Sequence, residues 1–318
     1  MTRPEEEKIY SRIAIDSMVN DSVTDFDLYV KGPNGLLLYG AAGYKWHKKE
    51  LVDLKALGYR YFYHRNSETS QVFMYYSLNR LPRIDQELPP PQRIKAIEHI
   101  GADYTKCLYH SDFLTPSAID RSISLAQAAV NCLSEDRSVI HNMKDLSRHD
   151  EYTYFHGIRV SLYAIAIANN LGINDTEAKI ALASGALLHD IGKKCISKTI
   201  LEKPTQLSHE ERNALREHPR IGFNLVKDTK IGYIGREIIL HHHEKPNGSG
   251  YPDGLDRNSI LPEAQIVSLA DSFDALTSTR FHEVRRSKFD ALSLIKHQVI
   301  EKLIPWEIYR ALVNSIAP

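Results

Sequence analysis

A strongly apolar helical run, Ala181 to Leu188, ends in two ionisable residues, His189 and Asp190, and turns at once through Ile191, Gly192 and Lys193. Buried ionisable groups are costly unless they are hydrogen-bonded, paired or bound to a metal. A helix this apolar that closes on an imidazole and a carboxylate therefore obliges the fold to bring partners to both. One histidine alone is more often satisfied in a core than held at a ligand site. Several converging ones are a different matter.

Three other segments repeat the pattern. His156 lies in a helical stretch where Val160, Tyr163 and Ile167 fall at i+4, i+7 and i+11, so it faces inward. His242 and His243 close the amphipathic segment Ile231 to Leu240 and precede Glu244. Asp271 interrupts the apolar set Ile266, Val267, Leu269 and Ala270, with Asp274 three residues on. Inward histidines and aspartates from separate helices are what a metal centre in a helical bundle needs. The alternative is a set of polar burials, each satisfied independently.

The chain is long enough, at 318 residues, for two domains. Its first part is β-patterned. Phe26 to Val30 and Leu36 to Tyr39 flank a turn at 32–35, Lys49 to Leu57 suits a helix closed by Gly58, and Tyr59 to Tyr63 and Gln71 to Tyr76 read as strands. A proline-rich, semi-rigid joint follows at 82–93. Beyond it the pattern is helical. Helices are expected from Thr115-Pro116 to about Leu133, from about Tyr152 to Leu171, from a cap at Asn174 with Glu177 to His189, from Ser208 with Glu211, and from Pro262 to about Thr279. The fold class is α+β with two domains: a small β-rich or α/β N-terminal domain (1–84), a linker with connecting helices (85–135), and an all-α domain (136–318).

Charge narrows the function. Lys plus Arg, 40, equals Asp plus Glu, 40, so no global field points to DNA or an anionic membrane, and any phosphate must be bound locally. Cys107, Cys132 and Cys195 form no CxxC and read as reduced thiols. The N-terminus lacks an apolar signal region, and the apolar stretch Leu162 to Ala168 is too short to span a bilayer. A cytoplasmic location is expected.

The whole set resembles a known pattern. His156, His189-Asp190 and Asp271, in that order, resemble the HD phosphohydrolase superfamily, and the segment His242 to Pro252 looks like the signature of its HD-GYP branch. Leu187 to Lys193, Ile200 to Pro204, His218-Pro219 and Asp271 to Thr277, ending at Arg280, match as well. Together these motifs run from about Asp150 to Arg280, more than half the chain counting the family-like helices that follow. The resemblance implies an HD-GYP helical domain that hydrolyses cyclic di-GMP to linear pGpG, and onward to GMP in some members, with a hydroxide held between two metal ions.

Residue by residue, the resemblance gives one metal to His156, His189, Asp190 and Asp271. It gives the other to His218, His242, His243 and again Asp190, whose carboxylate spans both. Nitrogen and oxygen ligands without thiolate favour Fe or Mn, and paired ions suit phosphodiester hydrolysis. Lys193 resembles the family lysine that contacts phosphate and, with Asp190, is the expected catalytic group. Gly250, Tyr251 and Arg280 are expected to contact substrate; Arg280 can clamp a phosphate bidentately. Of the histidine triplet, His241 falls outside the ligand set, because consecutive helical residues point about 100° apart. Glu244 is expected to orient a ligating imidazole.

Two departures bear on the count and on affinity. Some relatives hold a third metal with a glutamate where this chain has Tyr152, and a phenol is a poor ligand, so two ions are expected. After Arg280 stand Phe281, His282 and Glu283, placing an acid where the family often has a phosphate-binding cation. Two other readings therefore stand beside the enzyme: a catalytically weak cyclic-dinucleotide receptor, and an HD phosphohydrolase of another nucleotide. Expected partners are cyclic di-GMP, signalling proteins at the Gly250-Tyr251 loop, and a second copy of the chain as a homodimer. The N-terminal domain has the place of a regulatory or dimerisation module.

Overall fold

The computed structural model describes residues 9–15, 18–33, 35–68, 88–110, 115–143, 152–278, 286–300 and 302–316, with 71, 72, 75 and 79. The chain divides into two compact units, Met1–Arg80 and Leu81–Pro318.

The first unit holds a four-stranded antiparallel sheet in the order β1-β4-β2-β3, made of β1 (Tyr10–Ala14), β2 (Leu28–Gly32), β3 (Gly35–Gly40) and β4 (Tyr61–Arg65). Helix α1 (Lys48–Ala56) buries Leu51 and Leu54, which join Phe26, Leu28, Trp46 and Phe62 in one core. Strand β1 escapes the sequence reading because Ser11 and Arg12 break its apolar pattern. It is an edge strand held by its ladder with β4 and by Arg12 lying 4.9 Å over the Tyr61 ring. The strand expected at Gln71 to Tyr76 is corrected: Gln71, Val72 and Tyr75 are helical. Val72 and Tyr75, three apart, place their side chains on one helical face that is buried in the core, so packing outweighs the β preference of the aromatic residues.

The regular secondary structure among the described residues of the second unit is helical, apart from one isolated bridge between Asn247 and Asp256. Helix α2 (Pro90–His110) begins inside the expected joint, since a proline fits the first helical turn. Residues 82–87 of that joint lie outside the described residues. In α3 (Pro116–Glu135) the Thr115 side chain accepts from the Ala118 N–H, as expected. Helix α4 (Tyr152–Asn170) is apolar on nearly every side from Phe155 to Ala168 and sits at the centre, packed by α2, α5 (Thr176–Leu188), α10 (Pro262–Thr277) and α12 (Trp306–Ile316). The cap of α5 is Asp175 rather than Asn174; its carboxylate accepts from Glu177 N–H.

Past α5 come a 3-10 turn (Ile191–Cys195), a short helix α6 (Lys198–Leu201), α7 (His209–Arg216), α8 (His218–Val226) and α9 (Tyr233–His241). Helix α7 starts with the expected Ser208–Glu211 capping box. Helix α11 (Lys288–Ile300) packs on α10 and α12. Among the described residues no helix is long and apolar enough to cross a membrane.

Candidate metal centre

Helix ends deliver most of the site. Helix α5 stops at Leu188, His189 keeps near-helical angles, and Asp190 leaves them at φ −96°, ψ 5°. Helix α9 likewise stops at His241; His242 caps it at φ −63°, ψ −14°, and the His242 and His243 ring centres lie 4.1 Å apart. His218 opens α8, His156 lies in the second turn of α4, and Asp271 sits mid-way along α10.

These seven residues fall into two clusters: His156, His189 and Asp271 in one, Asp190, His218, His242 and His243 in the other. Within each, one ligand atom per residue lies within 4.8 Å of all the others. Asp190 faces both. Its Oδ2 is 3.4 Å from His189 Nε2 and 3.9 Å from His156 Nε2; its Oδ1 is 3.2 Å from His218 Nε2 and 3.9 Å from His242 Nε2.

The outer nitrogens fix the tautomers. Nδ1 of His189 donates to Ala186 O at 2.7 Å, that of His218 to Leu215 O at 2.8 Å, and that of His242 to Ile239 O at 3.0 Å. A carbonyl only accepts, so the proton is on Nδ1 and the Nε2 lone pair points inward. His218 Nε2 and His242 Nε2 then face each other at 3.3 Å, lone pair to lone pair, beside a carboxylate. His189 Nε2 and Asp190 Oδ1 are buried without a hydrogen-bond partner. Such a cluster of buried acceptors is repulsive by itself, and a cation relieves it. The donor set fits divalent ions, one at each cluster.

Electrostatics agree. Burial pushes His243 down to about 3, and burial together with the neighbouring His243, His189 and His218 holds His242 well below the usual histidine value. Both stay neutral. Burial would raise Asp190, but the Lys193 ammonium and the surrounding histidines hold it well below the carboxylate range. Asp271 is held low against its burial by the hydrogen bond and charge of His156. His156 goes the other way: burial lowers it, yet its bonds to Asp271 at 3.1 Å and Asp274 at 2.7 Å raise it overall. The pocket thus favours positive charge between His156 and Asp271.

Asp274 is the residue that the sequence reading left without a role. Its Oδ2 accepts from His156 Nδ1, while Oδ1 accepts from Arg159 Nε at 2.7 Å and Ser278 Oγ at 3.1 Å. The signal was present in the spacing. His156 and Arg159, like Asp271 and Asp274, are three residues apart, so two crossing helices present matching pairs.

Two glycines permit the close approaches. A Cβ on Gly192 would lie 2.0 Å from His218 O, so the turn after Asp190 presses directly on the start of α8. A Cβ on Gly250 would lie 2.4 Å from Glu244 Cα and Lys245 N; the backbone it approaches here is that of its own loop. Tyr251 stacks on His243 with ring centres 4.7 Å apart, and the Arg216 guanidinium lies 5.1 Å from the Tyr251 ring. Lys193 Nζ is 2.6 Å from Asp190 Oδ2.

Glu244 differs from expectation. Its carboxylate accepts from the N–H groups of Asp253, Gly254 and Leu255 at 2.6, 3.0 and 2.9 Å, so it braces the loop instead of an imidazole. His241 points away, to Glu237 at 3.2 Å and Asp253 at 3.1 Å. Arg280, Phe281, His282, Glu283 and the Tyr152 side chain lie outside the described residues.

Comparison with known proteins gives a consistent result. The family model described as HD domain matches residues 135–303. The cyclic di-GMP phosphodiesterase response regulator RpfG of Xanthomonas campestris pv. campestris is 39% identical over 171 residues, covering 52% of this chain and 45% of that protein. The cyclic di-GMP phosphodiesterase PA4108 of Pseudomonas aeruginosa is 33% identical over 178 residues, covering 54% and 41%. A 3'3'-cGAMP-specific phosphodiesterase 3 of Vibrio cholerae is 33% identical over 165 residues, covering 52% and 35%. The chain spans less than half the length of these curated relatives. The solved structure of Bd1817, an HDG"Y"P protein from Bdellovibrio bacteriovorus, shares the fold: TM-score 0.64 at 24% identity, over 97% of this chain and 100% of that one.

Proposed function

The chain belongs to the HD domain family, and we propose that it is a phosphodiesterase that opens cyclic di-GMP to the linear dinucleotide pGpG, using two divalent metal ions. One observation carries this reading. Asp190 turns one carboxylate oxygen to each of two ligand clusters. A second ion has no comparable reason to sit beside the first unless an anionic group is shared between them.

His156, His189, Asp271 and Asp190 would hold one ion; His218, His242, His243 and Asp190 the other, with Fe or Mn favoured by the ligand atoms. When bound, the pair would supply an activated water for in-line attack at phosphorus and offset the charge of the phosphate oxygens. The chain's own residues do the rest. The Nδ1 bonds to backbone carbonyls keep the imidazoles of His189, His218 and His242 aimed inward. Lys193, already drawn to the carboxylate, is placed to exchange that partner for a phosphate oxygen. Tyr251 and Gly250 belong to the loop that closes over His243, and Tyr251 carries the flat surface on which a base can stack. Arg280 is proposed as the second phosphate contact.

The relatives named for cyclic di-GMP support that substrate; those named for 3'3'-cGAMP define the competitor. The test is turnover by the anaerobically purified chain, loaded with Fe(II) or Mn(II), of cyclic di-GMP beside 3'3'-cGAMP, with products resolved by chromatography. Linear pGpG as first product from cyclic di-GMP supports the reading. Preferred turnover of 3'3'-cGAMP reassigns the substrate, and tight binding of cyclic di-GMP without any cleavage by the loaded protein makes the chain a receptor.

A further inference from the structure

Helix α2 ends against the proposed metal centre, although Pro90–His110 lies wholly before the HD domain match at 135–303. The Tyr109 hydroxyl donates to the backbone carbonyl of Asp190 at 2.8 Å. In return, Lys194 Nζ donates to Tyr109 O at 2.9 Å, so the helix end and the 3-10 turn after Asp190 are tied in both directions. Thr105, Leu108 and Tyr109 also line a small cavity whose other walls include His156 and Asp190. Burial, followed by the Asp190 and Tyr154 charges, pushes the phenol well above its ordinary value, so it remains a protonated donor.

We propose that Tyr109 is a positioning residue for the metal centre, holding the Asp190 backbone so that its two carboxylate oxygens reach both clusters. The inference rests on the two-ion reading above and extends it to a residue outside the family segment. Asp190 sits at φ −96°, ψ 5°, between the end of α5 and the 3-10 turn, so no regular helix fixes its backbone on both sides. Its carbonyl accepts from Lys193 N–H at 2.9 Å within the turn, and Tyr109 adds a contact from a separate helix. A small rotation there would turn one oxygen away from its cluster. The second ion would feel this most, since His218 and His242 approach Oδ1 from the far side.

The same helix provides the control. Tyr104 is fully buried, and its hydroxyl also donates to backbone carbonyls, those of Ala118 at 3.0 Å and Ile119 at 3.2 Å, away from the centre. Tyr109→Phe and Tyr104→Phe therefore remove the same kind of bond, and only one of them touches Asp190. Mn(II) affinity is measured on the full chain by competition with a chelating indicator, with melting temperature alongside. Tyr109→Phe is expected to weaken Mn(II) binding by about tenfold, the range for groups that orient ligands. Tyr104→Phe is expected to lower the melting temperature at least as much and leave the affinity unchanged. In electron paramagnetic resonance, the exchange-coupled signal of paired Mn(II) should diminish in Tyr109→Phe alone.

Equal Mn(II) affinity in wild type and Tyr109→Phe, or equal losses in both variants, overturns the proposal. If Tyr109→Phe does not fold, Lys194→Met carries the test: an affinity loss beyond about threefold supports it, and a smaller one overturns it. A wild-type chain that binds no Mn(II) at all refutes the proposed function first, and this inference with it.

Discussion

Asp274→Asn isolates the charge that orients His156. In the native chain Asp274 takes two donors at 2.7 Å, His156 Nδ1 on one oxygen and Arg159 Nε on the other. An asparagine has one acceptor and one donor end. If its oxygen serves Arg159, its NH2 faces His156 Nδ1–H; turned round, it faces Arg159. The imidazole can escape by moving its proton to Nε2, which removes the lone pair a metal needs. Both partners are almost wholly buried, as is Asp274 itself. Removing one partner of a buried ion pair costs about 3 kcal/mol or more. For a unit of this size that corresponds to roughly 6–12 °C in melting temperature. Loss of a group that orients a ligating histidine should weaken the ion at His156, His189 and Asp271 by about 10–100-fold. Calorimetric titration with Mn(II) and thermal melts with and without the ion read both effects. Unchanged affinity together with an unchanged melt would refute the orienting role, and a melt shift without an affinity loss would reduce Asp274 to packing.

Three further outcomes follow from the same geometry. Gly192→Ala places a methyl where His218 O already stands, so the turn and α8 must separate by on the order of 1 Å, with a strain cost of about 1–3 kcal/mol; Mn(II) stoichiometry should fall towards one, and full loading would contradict it. Glu244→Gln loses the charge that holds three loop amides, each charged bond being worth about 1.5–3 kcal/mol, so hydrogen exchange at Asp253, Gly254 and Leu255 should accelerate well over tenfold. Unaltered exchange would show that the loop stands without it. In the metal-free chain, His242 and His243 stay neutral when folded but take up protons near pH 6.5 when unfolded, so the unfolded state binds more protons as pH falls. Stability should drop by about 2 kcal/mol per imidazole between pH 7.5 and pH 5, partly offset by His156, whose raised value works in the opposite sense. A melting temperature that rises on acidification would oppose this assignment.

The histidines and aspartates were legible because they break apolar helical runs, and a buried polar break demands a partner. The clusters gather them as that logic requires, with His241 outside. Helix starts at Thr115 and Ser208 were legible through local capping chemistry, which needs nothing from the rest of the fold. What was hidden depends on distant contacts. The role of Asp274 emerges only when α10 crosses α4, Tyr109 only when α2 reaches Asp190, and β1 only when β4 lies beside it. The helical residues at Gln71, Val72 and Tyr75 show the same limit, because aromatic residues favour strands until a helical face can bury them. Nearness in sequence makes Glu244 look like a partner for a ligand, whereas the fold of its loop offers it three backbone donors.

The central claim is that one carboxylate, Asp190, serves two ions. Anomalous diffraction at the manganese edge, from crystals grown with Mn(II), tests it most directly. Two peaks roughly 3.5–4 Å apart are expected, with one Asp190 oxygen on each. A single peak, or two peaks with Asp190 bound to only one of them, would contradict it.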